Sequence, residues 1–114
     1  MEIHISITEE DLKVLSKEAI LQVGRILEEA LSNVRKHSHA KRVWIDSGKD
    51  EAIVWITVED DGVGMDPDNR HGCHQGHFGL QMMAERAEGV SGHIHIRKRT
   101  GGGTCIRLEL PYGK

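Results

Sequence analysis

Asp60 and Asp61 stand at the end of an alternating run, Ile53-Val54-Trp55-Ile56-Thr57-Val58, and Gly62 and Gly64 follow at once. Apolar alternation marks a half-buried strand, and Gly-x-Gly breaks it. Chemically, this sets a carboxylate at the rim of a pocket, beside backbone that a flat ligand can approach closely. Strand parity separates the two acids. Val54, Ile56, Val58 and Asp60 share one face, while Trp55, Thr57 and Glu59 share the other. Asp60 therefore points to the core side and is the candidate working carboxylate, and Asp61 points away. Strand-Asp-Asp-Gly also reads as an ordinary turn end, so the stretch takes its meaning from its surroundings.

A second set of chemically able residues is Glu29, Asn33, Lys36 and His37. They lie in a helical pattern from Thr8 to about His37, with a possible break near Ser16. Ile20, Val23, Leu27, Ala30, Leu31 and Val34 form its apolar stripe. At about 100° per residue, the four polar residues fall within roughly a third of the circumference. Such a face can line a site; a solvated face with i,i+4 pairs looks the same. The third set is the loop 65–79, with three histidines, glycines and almost no apolar periodicity. A loop of about 15 residues without structure of its own is usually functional. Its His71, Cys73, His74 and His77 have the side-chain types of a Zn²⁺ or Ni²⁺ site.

The elements that must position these groups follow from the pattern. Strands are expected around Ile3–Ile7, over Lys41–Ser47 and Ile53–Asp60, and over His93–Arg97 and Thr104–Leu110. Helices are expected over the Thr8–His37 region and from Leu80 to about Val90. Each later strand has one apolar and one largely polar face, so helices cover one side only. The expectation is an α+β two-layer sandwich, a five-stranded mixed sheet with two to three helices on one face. Trp44 and Trp55 would lie on the open face, as a cross-strand pair or a docking patch. Ile106, Leu108 and Leu110 face inward; Cys105, Arg107 and Glu109 face out.

The 114 residues are one domain, large enough for a core and too small for two. The net charge of −3 gives no electrostatic case for nucleic-acid or membrane binding. No apolar run reaches the roughly 18 residues of a membrane helix. Two cysteines, Cys73 and Cys105, make no disulfide framework, so reduced thiols and a cytoplasmic domain are expected.

Taken in order, Glu29-Ala-Leu-Ser-Asn33-Val-Arg-Lys36-His37-Ser, Asp60-Asp-Gly62-Val-Gly64-Met, Gly76-His-Phe-Gly79-Leu80, Glu85-Arg86-Ala87-Glu88 and Gly101-Gly-Gly-Thr104 carry a resemblance. The chain resembles the Bergerat-type ATP-binding domain shared by histidine kinases, DNA gyrase, the large heat-shock chaperones and MutL. Residues 18–111 look most like a bacterial two-component sensor histidine kinase, of the subgroup whose response regulators carry helix-turn-helix output domains. The resemblance implies ATP and Mg²⁺ as ligands. Asp60 would accept from the adenine amine, Gly62 and Gly64 would let the base lie against backbone, and Thr104 would help position it. Asn33 would ligate Mg²⁺, Lys36 would direct charge at phosphate, and His37 would line the pocket. Glu29 would support the acceptor or metal site. Residues 65–79 would be the ATP lid, with Gly76, His77, Gly79 and Leu80 turning main-chain N–H groups toward the phosphates. Relatives often carry a small and a basic residue where Met82 and Ala84 stand.

The implied partners are a dimerisation/phosphoacceptor domain and a response regulator. None of the eight histidines sits in the helical context of an acceptor, so the chain is expected to lack its own, as an excised domain or one acting in trans. Two other readings stand beside this one: a stand-alone anti-sigma-factor-type serine kinase on the same fold, and a non-catalytic nucleotide-binding or docking module using the Trp44/Trp55 face.

Overall fold

Two hydroxyl side chains punctuate the first helical stretch. In the computed structural model, which describes residues 2–62 and 74–112, Thr8 Oγ1 accepts from the Asp11 N–H (3.3 Å) and opens α1, Glu9–Leu12. Ser16 Oγ accepts from the Ala19 N–H (3.1 Å) and opens α2, Lys17–Asn33. Each cap satisfies a donor that a first helical turn leaves unpaired, worth about 1 kcal/mol. The break near Ser16 is thus a true helix boundary. After Asn33 the chain widens into a π-helical turn, Val34–Ser38, which ends on His39 in the left-handed region (φ 54°).

The last helix, α3, spans His74–Glu88. It begins at His74 rather than at the expected Leu80. Two glycines in His74–Gly79 each cost about 1 kcal/mol relative to alanine, so local propensity does not announce this turn. α3 lies on α2, where an Arg86 guanidinium N–H donates to Gln22 Oε1 (3.3 Å).

The strands are β1 (Glu2–Ser6), β2 (Arg42–Lys49), β3 (Ile53–Asp60), β4 (His93–Lys98) and β5 (Thr104–Pro111), in sheet order β1-β2-β3-β5-β4. β1 runs parallel to β2, and the other neighbours are antiparallel. This is the expected mixed five-stranded sheet. Alternate residues of the central strands, among them Val43, Ile56, Val58 and Leu108, are buried against Val23, Ile26 and Ala30 of α2 and Met83 and Ala87 of α3. One face makes the core because side chains alternate along a strand.

The open face differs from the expectation in two ways. Trp44 and Trp55 do not pair across strands, because the register sets Trp44 opposite Glu59 and Trp55 opposite Gly48. Instead Arg99 covers the Trp44 ring (4.6 Å) and Arg107 the Trp55 ring (4.9 Å). Cys105, expected outside, is only 7% exposed. It shares its surroundings with Glu59, Arg97 and Arg99, and burial pushes its thiol pKa up.

Antiparallel pairing also decides where the site sits. β3 ends at Asp60, whose Cα partners are Val43 near the start of β2 and Thr104 at the start of β5. The π turn carries the chain from α2 into β2. The C-terminal end of α2 therefore reaches the same edge of the sandwich as Asp60 and Thr104.

Candidate functional site

Asp60 is 3% exposed at the end of β3, and its Oδ1 accepts from the Gly62 N–H (2.9 Å). Burial pushes its pKa above the usual carboxylate range, and the nearby Asp61 charge adds to that. Hydrogen bonds from the Gly62 and Thr104 backbone and the Arg99 charge oppose it. A buried carboxylate raised in this way is poised to meet a donor rather than solvent.

Asp61, one residue on, has the opposite task. Its Oδ1 accepts from both the Lys41 and Arg42 N–H groups (2.9 Å each), and its own N–H donates to the Arg42 carbonyl (3.3 Å). The Arg42 and Lys41 hydrogen bonds hold its pKa down. The parity argument thus separates a site carboxylate from a structural one.

Thr104 lies beside Asp60 in the ladder and is 2% exposed. The close approach is made possible by Gly103, which sequence reasoning treated only as part of a turn. Its φ is +104°, and a Cβ there would lie 1.8 Å from the Asp60 carbonyl oxygen. No side chain fits between the β4–β5 turn and the Asp60 backbone. The glycine triplet signalled a turn but not which member touches the site. Arg99 was also missed. Its Nε donates to Glu59 Oε1 (3.2 Å) while its ring face contact covers Trp44, so it braces the strand that carries Asp60. Nothing in the periodicity marks Arg99.

The helical half of the site comes from α2. Asn33 is 3% exposed, and its Nδ2 is the one buried side-chain polar atom among the described residues without a hydrogen-bond partner. Leaving such a group unsatisfied costs about 1–3 kcal/mol, and its persistence calls for a reason. Glu29, one turn earlier, is half-buried and lines a depression with Arg25, Met83 and Arg86 between α2 and α3. Lys36 is exposed on the π turn, and Leu80 packs against the core. π turns recur at functional sites because they re-aim the residues that follow.

Of the sequence-derived site residues, Asp60, Gly62 and Thr104 are joined by direct hydrogen bonding or strand pairing. Glu29, Asn33 and Lys36 arrive at that edge through the course of the chain. Gly76 and Gly79 lie in the first part of α3. Gly64 lies outside the described residues, as do His71, Cys73 and the side chains of His37, His74 and His77. Among the described residues, no three His, Cys, Asp or Glu side chains are grouped to hold a metal ion.

This arrangement can seat a planar donor at Asp60 and charged groups toward Asn33 and Lys36. Residues 18–114 match the family described as histidine kinase-, DNA gyrase B-, and HSP90-like ATPase. The chain is 36% identical over 99 residues to a NarQ homolog sensor protein of Haemophilus influenzae, covering 86% of this chain and 17% of that protein. It is 38% identical over 87 residues to the nitrate/nitrite sensor protein NarX of Escherichia coli, covering 76% of this chain and 14% of that one. The chain thus spans 14% to 17% of the length of these relatives. Among solved structures, a blue-light activated histidine kinase of Erythrobacter litoralis shares the fold with a TM-score of 0.77 at 22% identity, over 97% of this chain and 35% of that one. The ATP binding domain of PrrB from Mycobacterium tuberculosis does so with a TM-score of 0.70 at 24% identity, over 82% of this chain and 69% of that one. The chain therefore belongs to the family of histidine kinase-, DNA gyrase B- and HSP90-like ATPases, as the ATP-binding domain of a sensor histidine kinase.

Proposed function

We propose that this domain binds ATP with Mg²⁺ and delivers the γ-phosphoryl group to a histidine on a dimerisation/phosphoacceptor domain, for onward transfer to a response regulator with a helix-turn-helix output domain. The observation that carries the reading is Asp60, a carboxylate buried at a strand end between Gly62 and Thr104. When ionised it accepts the exocyclic amine of adenine. Guanine presents a carbonyl there and would leave the carboxylate unpaired, so discrimination is strong. Gly62 leaves the backbone bare for the base, and Thr104 positions it.

In the transfer, the bond from the γ-phosphorus to the bridging oxygen of ATP breaks, a phosphorus–nitrogen bond to the acceptor imidazole forms, and ADP leaves. Positioning and charge stabilisation dominate such reactions. Lys36 supplies positive charge from the π turn, and Glu29 supports the acceptor end. Asn33 fits a Mg²⁺ ligand. Its amide oxygen is a hard donor suited to an ion that also holds phosphate oxygens and water, and its buried Nδ2, unpartnered among the described residues, is a donor that would meet a phosphate oxygen. The ion would neutralise phosphate charge. The lid would be residues 65–73 together with the start of α3, where the N–H groups near Gly76 and His77 would face the phosphates.

Isothermal calorimetry with ATP and GTP tests this. The wild-type chain is expected to prefer ATP by about a hundredfold, and Asp60→Asn to lose that preference. Equal affinity of the wild type for both nucleotides would sink the reading.

A further inference from the structure

The solvent side of α2 carries an exposed Ile20-Leu21 pair and Gly24 that neither the core nor the Glu29 depression uses, beside Arg25 and Glu28, which line both this face and that depression. Ile20 and Leu21 are 42% and 55% exposed. Gly24, on the next turn, is also exposed, and a Cβ built there would meet nothing within 4 Å. It lies inside a helix with no left-handed backbone to require glycine. A helix-interior glycine costs about 1 kcal/mol relative to alanine, and among the described residues no close contact requires it. Ile20, Leu21, Gly24, Arg25 and Glu28 line one shallow depression. A missing side chain between large apolar ones is a notch into which another backbone can settle.

The charges around the notch say what fits it. Lys17 stands one turn before Leu21, and Glu28 one turn after Gly24. Neither side chain makes an ion pair among the described residues. We propose that this face of α2 is a self-association surface, on which two copies of the chain pack their α2 helices antiparallel across a two-fold axis. The register that sets Leu21 into the partner's Gly24 notch also sets Lys17 opposite the partner's Glu28, and Ile20 under the aliphatic stem of the partner's Arg25. Each pair occurs twice, as an isologous contact requires. A positive end meeting a negative end is matched by this helix itself when reversed, and a partner of another sequence has no reason to share that order. Asn33 lies nine residues beyond Gly24, about half a circumference away, so the contact leaves the nucleotide side of α2 free.

Sedimentation equilibrium of the chain over a wide concentration range tests the proposal. A reversible monomer–dimer equilibrium that weakens with salt is expected. Leu21→Glu should leave a folded monomer that melts where the wild-type chain melts when diluted to monomer, since that side chain is exposed. Lys17→Glu and Glu28→Lys should each raise the dimer Kd by about tenfold, and the double swap should restore it. Affinity for ATP should be the same in every variant, so failure here is distinguishable from failure of the nucleotide reading. A chain that stays monomeric at every concentration, a dimer indifferent to Leu21→Glu, or a double swap that fails to rescue would each overturn it.

Discussion

Asp60 and Asp61 are adjacent and chemically identical, yet their surroundings push them in opposite directions. Burial raises Asp60, so its charged form is the costly one. Its contribution to stability is present at low pH and is lost as pH rises through its raised pKa. Asp60→Asn removes that charge while leaving an oxygen to accept from Gly62. The variant is expected to melt no lower than wild type at neutral pH while losing ATP selectivity. A large fall in its melting temperature would mean that Asp60 is structural. ATP affinity should also decline as pH is lowered into the range where Asp60 protonates, above the usual carboxylate values, and Asp60→Asn should show no such decline. Asp61 behaves conversely: its stabilisation is present above the ordinary carboxylate pKa and lost as pH falls through its depressed value. Gly103 offers a third residue-scale test. Gly103→Ala places a Cβ against the Asp60 carbonyl at a positive φ and should cost more than about 2 kcal/mol in urea denaturation. Gly101→Ala, at φ +91° with open space around it, should cost less.

At the scale of elements, the first helix start was legible and the helix lengths were not. Thr8 stands out because its hydroxyl precedes the acidic run Glu9-Glu10-Asp11, whereas the sequence marks Ser16 only as a break and the structure supplies its capping role. Ser16→Ala should therefore lower stability by about 1 kcal/mol in chemical denaturation, with nucleotide affinity unchanged. The strands were legible for the same kind of reason, since period-two alternation of Ile53–Asp60 and Thr104–Leu110 has one reading. The start of α3 was not, because Gly76 and Gly79 argue locally against a helix that packing on α2 sustains. The tryptophans were placed on the correct face but mispaired. Register depends on turn geometry, and the turn at Asp50, where Asp50 Oδ1 accepts from Ala52 and Ile53 (2.8 Å each), offsets the two rings. Arg99 and Gly103 act through partners remote in sequence, and single-residue patterning does not carry such contacts.

For the whole molecule, the reading as a phosphoryl donor makes the acceptor a separate requirement. Asn33→Asp is expected to slow Mg²⁺-dependent transfer to a supplied acceptor domain by at least about tenfold while changing adenine affinity little. Parallel losses in both would make α2's end structural. Among the described residues no helix is long and apolar enough to cross a membrane.

The grip of Asp61 on the Lys41 and Arg42 amides has a mechanical meaning for that donor. It ties the segment leaving α2 to the strand end that carries Asp60, with only residues 34–40 between Asn33 and Lys41. On the proposed reading, the base end and the phosphate end of the nucleotide would meet the chain at two points on one short leash, and filling the first would take up slack at the second. Adenosine, which has no phosphate, should therefore slow amide hydrogen exchange across residues 34–40, and Asp61→Ala should cut that transmission while leaving the Asp60 carboxylate in place.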